Sequence, residues 1–382
     1  MGETKNDNQR PYPSTGRAPG RPRRASGTQR SITLQTIADR MGVSRSTVSN
    51  AYGRPDQLAP ALREQILRVA SDLGYPGPHA VARTLRRGRV GAIGLLLTEA
   101  LTYAFRDPAA VLFLEGVAEV LQATDVGLLL VPAQPGHAFD PAGIQGAVVD
   151  GFLVYSVSDG HPALEEVMRR RVPTVIVDQP RLPNAALVTI DDEDAAYTAA
   201  RHLLDLGHTR FAILSDRLSV GSLQPGVRVG NRKESGFLVT RLRLRGYRRA
   251  LEEAGVEWGP VPIAECFPNT PDIGREAIAH IVELDPRPTA LLCITDQIAL
   301  GALLGAADRE LFVPDDLSIV GFDDIPAAAT AQPALTTIRQ PLLEKGRVAA
   351  QMLTGNDRSA VRLVQLGTQL VPRESSGPAP SD

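Results

Sequence analysis

Between Ser44 and Gly53 the chain sets Arg45, Ser46, Ser49 and Asn50 apart from Val48 and Ala51. On a helix, that spacing separates a face of donors and acceptors from a small apolar seam. Arg bonds a guanine edge with two hydrogen bonds and Asn does the same for adenine, so the polar face has the chemistry of base reading in a DNA major groove. Alone, such a face is more often simply solvated. The elements around it decide.

Those elements form a compact set. Leu34, Ile37, Ala38 and Met41 recur with helical period, Thr33 is a capping type at the start, and Gly42 is a stop. Ser44 caps the second helix. The loop Gly53-Arg54-Pro55-Asp56 interrupts the pattern, and a third helix opens at Pro60 with a stripe of Leu62, Ile66, Val69, Ala70 and Leu73 running to Gly74. A helix, a tight turn at Gly42-Val43 and a second helix is the arrangement that places the second helix in a major groove while the first braces on the backbone.

Charge supports that placement. The whole chain of 382 residues has a net charge of −2, yet residues 1–89 hold 16 Lys and Arg against 6 Asp and Glu, leaving 25 against 37 for the rest. A basic head on an acidic body suits a head that meets phosphate. Residues 1–30 are rich in Gly, Pro, Ser and Arg with few large apolar side chains, and are expected to be a disordered basic arm. Within it, Pro19-Gly20-Arg21-Pro22-Arg23-Arg24 looks like a short minor-groove AT-hook but lacks an Arg before the Gly, and non-specific phosphate attraction is the favoured reading.

After Arg89 the texture is alternating. Short apolar runs at 90–97, 128–131, 151–155, 174–177, 211–214, 290–294 and 318–321 read as strands buried on both faces of a parallel sheet, with helices at 193–206, 242–254, 272–284 and 297–309 between them. The span is long for one sheet and predicts two lobes. Residues 216–239 break the pattern and read as a long surface loop.

Several classes are excluded. No apolar run is long enough to span a bilayer, and the basic start has no apolar stretch behind it, so the expected location is the cytoplasm, with no membrane partner. Cys266 and Cys293 make neither a disulfide framework nor a zinc pattern. His202 and His208 lie six apart and fit no metal pair. The phosphate-loop, dinucleotide, nucleophile-elbow and zinc-protease motifs are missing, so no cofactor, metal or catalytic role is expected.

Thr33-Leu34-Gln35-Thr36-Ile37-Ala38, then Gly42-Val43-Ser44-Arg45-Ser46-Thr47-Val48-Ser49-Asn50, Leu73-Gly74-Tyr75 and Val81-Ala82-Arg83-Thr84-Leu85 together resemble the headpiece and hinge of the LacI/GalR family of transcriptional regulators. The similarity continues over most of the chain. It implies base reading by Arg45, Ser46 and Asn50, with Thr33, Ser44, Thr47 and Ser49 also at the DNA. Where the family usually has an acidic residue this chain has Thr36, which is expected to weaken the first cap. Residues 79–87 resemble the hinge helix, which folds on operator DNA and pushes Leu85, with Ala82 beside it, into the minor groove while Arg83, Arg86 and Arg87 meet phosphates.

The resemblance also implies a two-lobed, periplasmic-binding-protein-like body that closes on a small molecule at the carboxyl ends of its strands. Arg243 and Asp323 match positions that grip ligands in relatives. Asp178, Thr295 and Gln340 occupy equivalent strand ends, and Tyr103 and Phe105 follow the first strand where they could stack on a sugar ring. An Asp at a strand end can instead cap the next helix, and Asp296 is read that way. The fold expected is α/β: an all-α helix-turn-helix headpiece (31–77), a hinge (78–88), a two-lobed doubly wound parallel-sheet effector domain (89–373) and a disordered tail (374–382). The expected partners are a pseudo-palindromic operator DNA, a sugar-type effector and a second copy in a homodimer. A C-terminal tetramerising coiled coil is not expected, for want of heptads. The rival readings are a doubly wound metabolic enzyme and an exported solute-binding protein.

Overall fold

The computed structural model describes residues 32–75, 89–97, 101–132, 139–183, 185–218, 225–230, 235–355 and 362–381. The expected basic arm, and the hinge with Ala82, Arg83 and Leu85, lie outside them. The chain divides into two compact units, Met1–Arg86 and Arg87–Asp382.

The described part of the first unit contains α1 (Leu34–Met41), α2 (Arg45–Gly53) and α3 (Pro60–Asp72). Thr36 does not weaken the first cap. Its hydroxyl accepts from the Thr33 N–H at 3.3 Å while the Thr33 hydroxyl accepts from the Thr36 N–H at 3.3 Å, a reciprocal capping box. Gly42 ends α1 at φ 65°, where only glycine sits without strain, and its N–H returns to the Ala38 carbonyl. Ile37, Ala38, Val48, Ala51, Ile66 and Ala70 form the buried centre.

The second unit contains two sheets. The first has the order β12-β5-β4-β3-β1-β2, where β1 is Ala92–Leu97, β2 Gly127–Pro132, β3 Phe152–Tyr155, β4 Thr174–Val177, β5 Ala186–Ile190 and β12 Leu363–Leu366; every pairing is parallel. The second has the order β13-β11-β10-β9-β6-β8-β7, where β6 is Phe211–Ser215, β7 Gly226–Val229, β8 Ile263–Phe267, β9 Ala290–Cys293, β10 Ser318–Asp323, β11 Thr336–Arg339 and β13 Gln369–Val371. Its two edge strands run antiparallel to their neighbours. Central strands alternate between two cores. Leu95 packs with Phe113 and Val117 on one face of the first sheet, and Leu96 with Phe152 and Ile176 on the other.

The chain passes between the lobes three times: from β5 into the Asp192–Asp205 helix, from β11 through Gln340 into the Leu342–Thr354 helix, and from β12 to β13. Residues distant in sequence therefore meet at the junction of the two lobes.

Three expectations are corrected. β2 is an edge strand with Leu128 and Leu129 36% and 40% exposed, so its apolar run does not mark burial on both faces. The 216–239 segment is more than a surface loop, since Gly226–Val229 adds a strand to β8 and Arg217 and Ser235 are buried. The terminal segment is no disordered tail. Ser375 is fully buried; its carbonyl accepts from the Ile319 N–H at 2.7 Å, its hydroxyl donates to the Ile319 carbonyl at 2.6 Å, and the Gly377 carbonyl lies 3.1 Å from the His208 ring.

Candidate functional site

Two sites arise from this framework. In the headpiece, Ser44 caps α2 by accepting from the Thr47 N–H at 3.0 Å, and its hydroxyl also meets those of Ser46 at 2.7 Å and Thr47 at 2.8 Å. Arg45 and Ser46 stand exposed in the first turn, and Asn50 is half-buried one turn further on. Ser49 is corrected: it is 7% exposed and turns inward beside Val48. Thr33 is exposed but engaged in its own cap, and Thr47 is half-buried. The polar face of α2 narrows to Arg45, Ser46 and Asn50, rimmed by the capping hydroxyls.

The second site is a cavity of about 160 Å³ between the lobes. Carboxyl ends of strands line it: Leu97 at the end of β1, Tyr155 and Ser156 at the end of β3, Asp178 and Gln179 after β4, Asp216 and Arg217 after β6, Thr295 after β9, Asp323 at the end of β10 and Gln340 after β11. Sequence reasoning from the parallel-sheet pattern located this line correctly. Arg243, Asp323, Asp178, Thr295, Gln340 and Tyr103 are all brought together there. Phe105 is not; it is 61% exposed and does not line the cavity.

Arg243 is set by two buried contacts. Its Nε donates to Asp192 Oδ1 at 2.9 Å and its Nη1 to the Ile294 carbonyl at 2.7 Å, while the guanidinium carbon lies 3.6 Å from the centre of the Phe322 ring. Gly246 makes this possible, because a Cβ there would lie 2.0 Å from the Glu193 carbonyl and push the Leu238–Glu253 helix off the Asp192–Asp205 helix. Thr295, not Asp296, caps the Asp296–Ala307 helix by accepting from the Ile298 N–H, and its hydroxyl donates to Asn269 Oδ1 at 2.6 Å. The reading of Asp296 as a cap is thereby corrected. Its carboxylate instead accepts from Thr337 Oγ1 at 2.5 Å and the Ile325 N–H at 2.9 Å, where a side chain in place of Gly321 would collide with it.

The cavity is acidic. Asp107, Asp178, Asp216 and Asp323 face Arg217 and Arg243, the only cations among its described lining residues. Burial pushes Asp107 up to about 6 and raises Asp216, and burial also lifts Asp323 well above the carboxylate range against the pull of Arg243. Arg217 is stacked between Phe237 and Phe267, at 4.7 and 5.1 Å from their ring centres. Bonds also cross the cleft. Asn269 Nδ2 donates to the Tyr103 hydroxyl at 3.0 Å, the Val239 N–H to Gln179 Oε1 at 2.8 Å, the Asp159 N–H to the Gly236 carbonyl at 3.1 Å, and Arg241 pairs with Asp159.

Sequence reasoning missed Asp107, Gln179, Asp216, Arg217 and Asn269. Asp107 had a legible signal, since Asp before Pro108 at the start of an apolar helix is a capping pattern, and its carboxylate does accept from the Ala109 N–H at 3.3 Å. Asn269 follows β8, a strand whose Ile-Ala-Glu-Cys-Phe sequence hides its pattern behind a buried Glu265.

Residues 200–376 match the family of periplasmic binding protein-like domains. An HTH-type transcriptional regulator of Mycolicibacterium smegmatis is 39% identical over 371 residues, which cover 95% of this chain and 99% of that protein. A LacI-family transcriptional regulator from Corynebacterium glutamicum, known as a crystal structure, is 37% identical and superposes with a TM-score of 0.68 over 90% of this chain and 98% of its own. The complex of the transcriptional regulator CelR with cellobiose is 26% identical, with a TM-score of 0.63 over 90% and 99% of the two chains. Among the described residues no helix is long and apolar enough to cross a membrane.

Proposed function

Because the chain belongs to the LacI family of DNA-binding transcriptional regulators, we propose that it is a repressor whose operator affinity is set by a small neutral polyol bound between its lobes. The observation that carries this is the pairing, in one chain, of a polar face of exposed Arg45 and Ser46 and half-buried Asn50 on a capped second helix with an acid-lined interlobe cavity. The periplasmic-binding relationship and the cellobiose held by CelR support a carbohydrate-like effector.

Cavity chemistry narrows the class. About 160 Å³ is well under the roughly 300 to 1,000 Å³ typical of drug-sized ligands, which favours a single sugar or cyclitol ring. The only cations among the described lining residues are already engaged, Arg243 by Asp192 and Arg217 by two aromatic rings, which disfavours a phosphate or carboxylate ligand. Arg243 and the carboxyls of Asp178 and Asp323 are the groups to hold hydroxyls, with Thr295, Asn269 and Tyr103 closing one side. A cytoplasmic homodimer presenting two α2 helices to inverted half-sites completes the reading, its apolar contacts supplied by exposed side chains such as Leu128, Leu129, Leu304 and Phe312. Ala82, Arg83 and Leu85 are assigned to the minor groove on the resemblance.

The function is tested by selecting bound sequences from a random DNA pool. An inverted repeat is expected, and Arg45→Ala should relax one position in each half-site by about 1 to 3 kcal/mol. In the same assay Leu85→Ala should weaken operator binding far more than random-DNA binding. Failure to enrich any repeat would exclude the repressor reading.

A further inference from the structure

Lys345 is 1% exposed and does not line the cavity, yet it touches two residues that do. Its Nζ lies 2.6 Å from Asp178 Oδ1 and 2.5 Å from Gln340 Oε1. An ammonium group can only donate, so Gln340 must turn its carbonyl to the lysine and its amide the other way. That amide donates to Asp323 Oδ1, and Asp323 faces Arg243 at 3.9 Å. One cation thus polarises a chain of hydrogen bonds from Asp178 in the first lobe to Asp323 in the second.

The two carboxyls at the ends of this chain sit on backbone that side chains rarely adopt, with φ at 63° for Asp178 and 128° for Asp323. Such conformations persist where surrounding contacts over-determine them, and here the side-chain bonds of Lys345 and Gln340 join the backbone bonds from the Asp178 N–H to the Val188 carbonyl and from the Gln340 N–H to the Asp323 carbonyl. Oδ1 of each carboxyl is thereby held by a buried donor beside the cavity that both residues line. An apolar side chain at 345 would avoid the desolvation of a buried ammonium, so the cation contributes something other than packing.

We propose that Lys345 is the positioning residue of the effector site, fixing the carboxyls of Asp178 in the first lobe and Asp323 in the second in set hydrogen-bonding roles toward a hydroxyl-bearing ligand that spans both lobes. This rests on the effector reading above. It assigns selectivity, and not merely stability, to a residue the ligand never touches.

The test uses the full-length protein and calorimetric titration with free hexoses, pentoses and cyclitols, their phosphate esters, and the singly deoxygenated or O-methylated analogues of whichever binds. Wild type is expected to bind a free polyol, to reject its phosphate, and to lose affinity steeply, by up to about 10⁴-fold, when the hydroxyl meeting a carboxyl is removed. Lys345→Met should bind the parent polyol more weakly and discriminate its analogues by less than about tenfold, whereas Lys345→Arg, still a donor and a cation, should retain most of the discrimination. Should Lys345→Met fail to fold, comparing Asp178→Asn with Asp178→Asn/Lys345→Met removes the unpaired buried charge, and the second lysine-free protein should discriminate less than the first. If the variants lose affinity for every ligand by one common factor and keep the wild-type ratios, Lys345 is structural and the inference is overturned. If wild type binds none of the free polyols, the effector reading itself falls first.

Discussion

At the scale of the residue, the cavity carboxyls carry a consequence that can be measured on the free protein. Asp107 is 9% exposed and its carboxyl is pushed from 3.8 up to about 6 by burial, with Asp216 across the cleft as a lesser cause. A carboxyl raised by folding takes up a proton as the chain folds, so its stabilising contribution is full below pH 4 and is lost as pH rises through 6. Asn at this position keeps a capping oxygen for the Ala109 N–H without the charge. Asp107→Asn should therefore be more stable than wild type at pH 8, by at most about 3 kcal/mol, and equal to it near pH 4, as read by denaturant midpoints. A pH-independent difference would show that Asp107 is not charged at a cost. Arg243 is a poor target for simple truncation by contrast, because Arg243→Ala would strand Asp192, whose Oδ2 already lacks a partner.

At the scale of the element, the terminal segment shows how a sequence of Ser, Gly and Pro can be structural. Glu374–Ser381 carries no apolar period, yet Ser375 closes hydrogen bonds to β10 and β11, the latter by accepting from the Thr336 N–H at 2.8 Å, and the Gly377 N–H donates to the Ser318 hydroxyl at 3.0 Å. Removing residues 375–382 would leave those buried groups without partners, at about 1 to 3 kcal/mol each, and the thermal midpoint should fall by at least about 5 °C. An unchanged midpoint would return the segment to the status of a tail. The headpiece makes the converse point. Its caps, its glycine turn and its apolar seam are all local and were legible from spacing, apart from the part Thr36 takes in the first cap and the place of Ser49, one residue after a core position, which only the packing of α2 on its neighbours could settle.

At the scale of the whole molecule, a ligand can bias DNA affinity only through its differential affinity for two lobe arrangements. The bonds bridging the cleft belong to that difference. Arg241 and Asp159 pair at a partly exposed position, worth at most about 1 kcal/mol. Arg241→Ala should raise the apparent Kd of the bound polyol by no more than about fivefold while sparing its selectivity, unlike Lys345→Met. A larger loss would place Arg241 in the site itself. What the sequence determined by itself were the features that depend on neighbours along the chain: three short helices, two of them capped by side chains, buried parallel strands, two lobes, and the line of strand ends where Asp178, Thr295 and Asp323 border the cavity. What only the tertiary structure decided were the features made where distant segments meet. Lys345 and Asp178 are 167 residues apart and Tyr103 and Asn269 are 166 apart, joined because three crossovers hold the two lobes together. No periodicity announces such pairs, since the energy that fixes them is desolvation and charge pairing in a cavity that exists only once both lobes have formed.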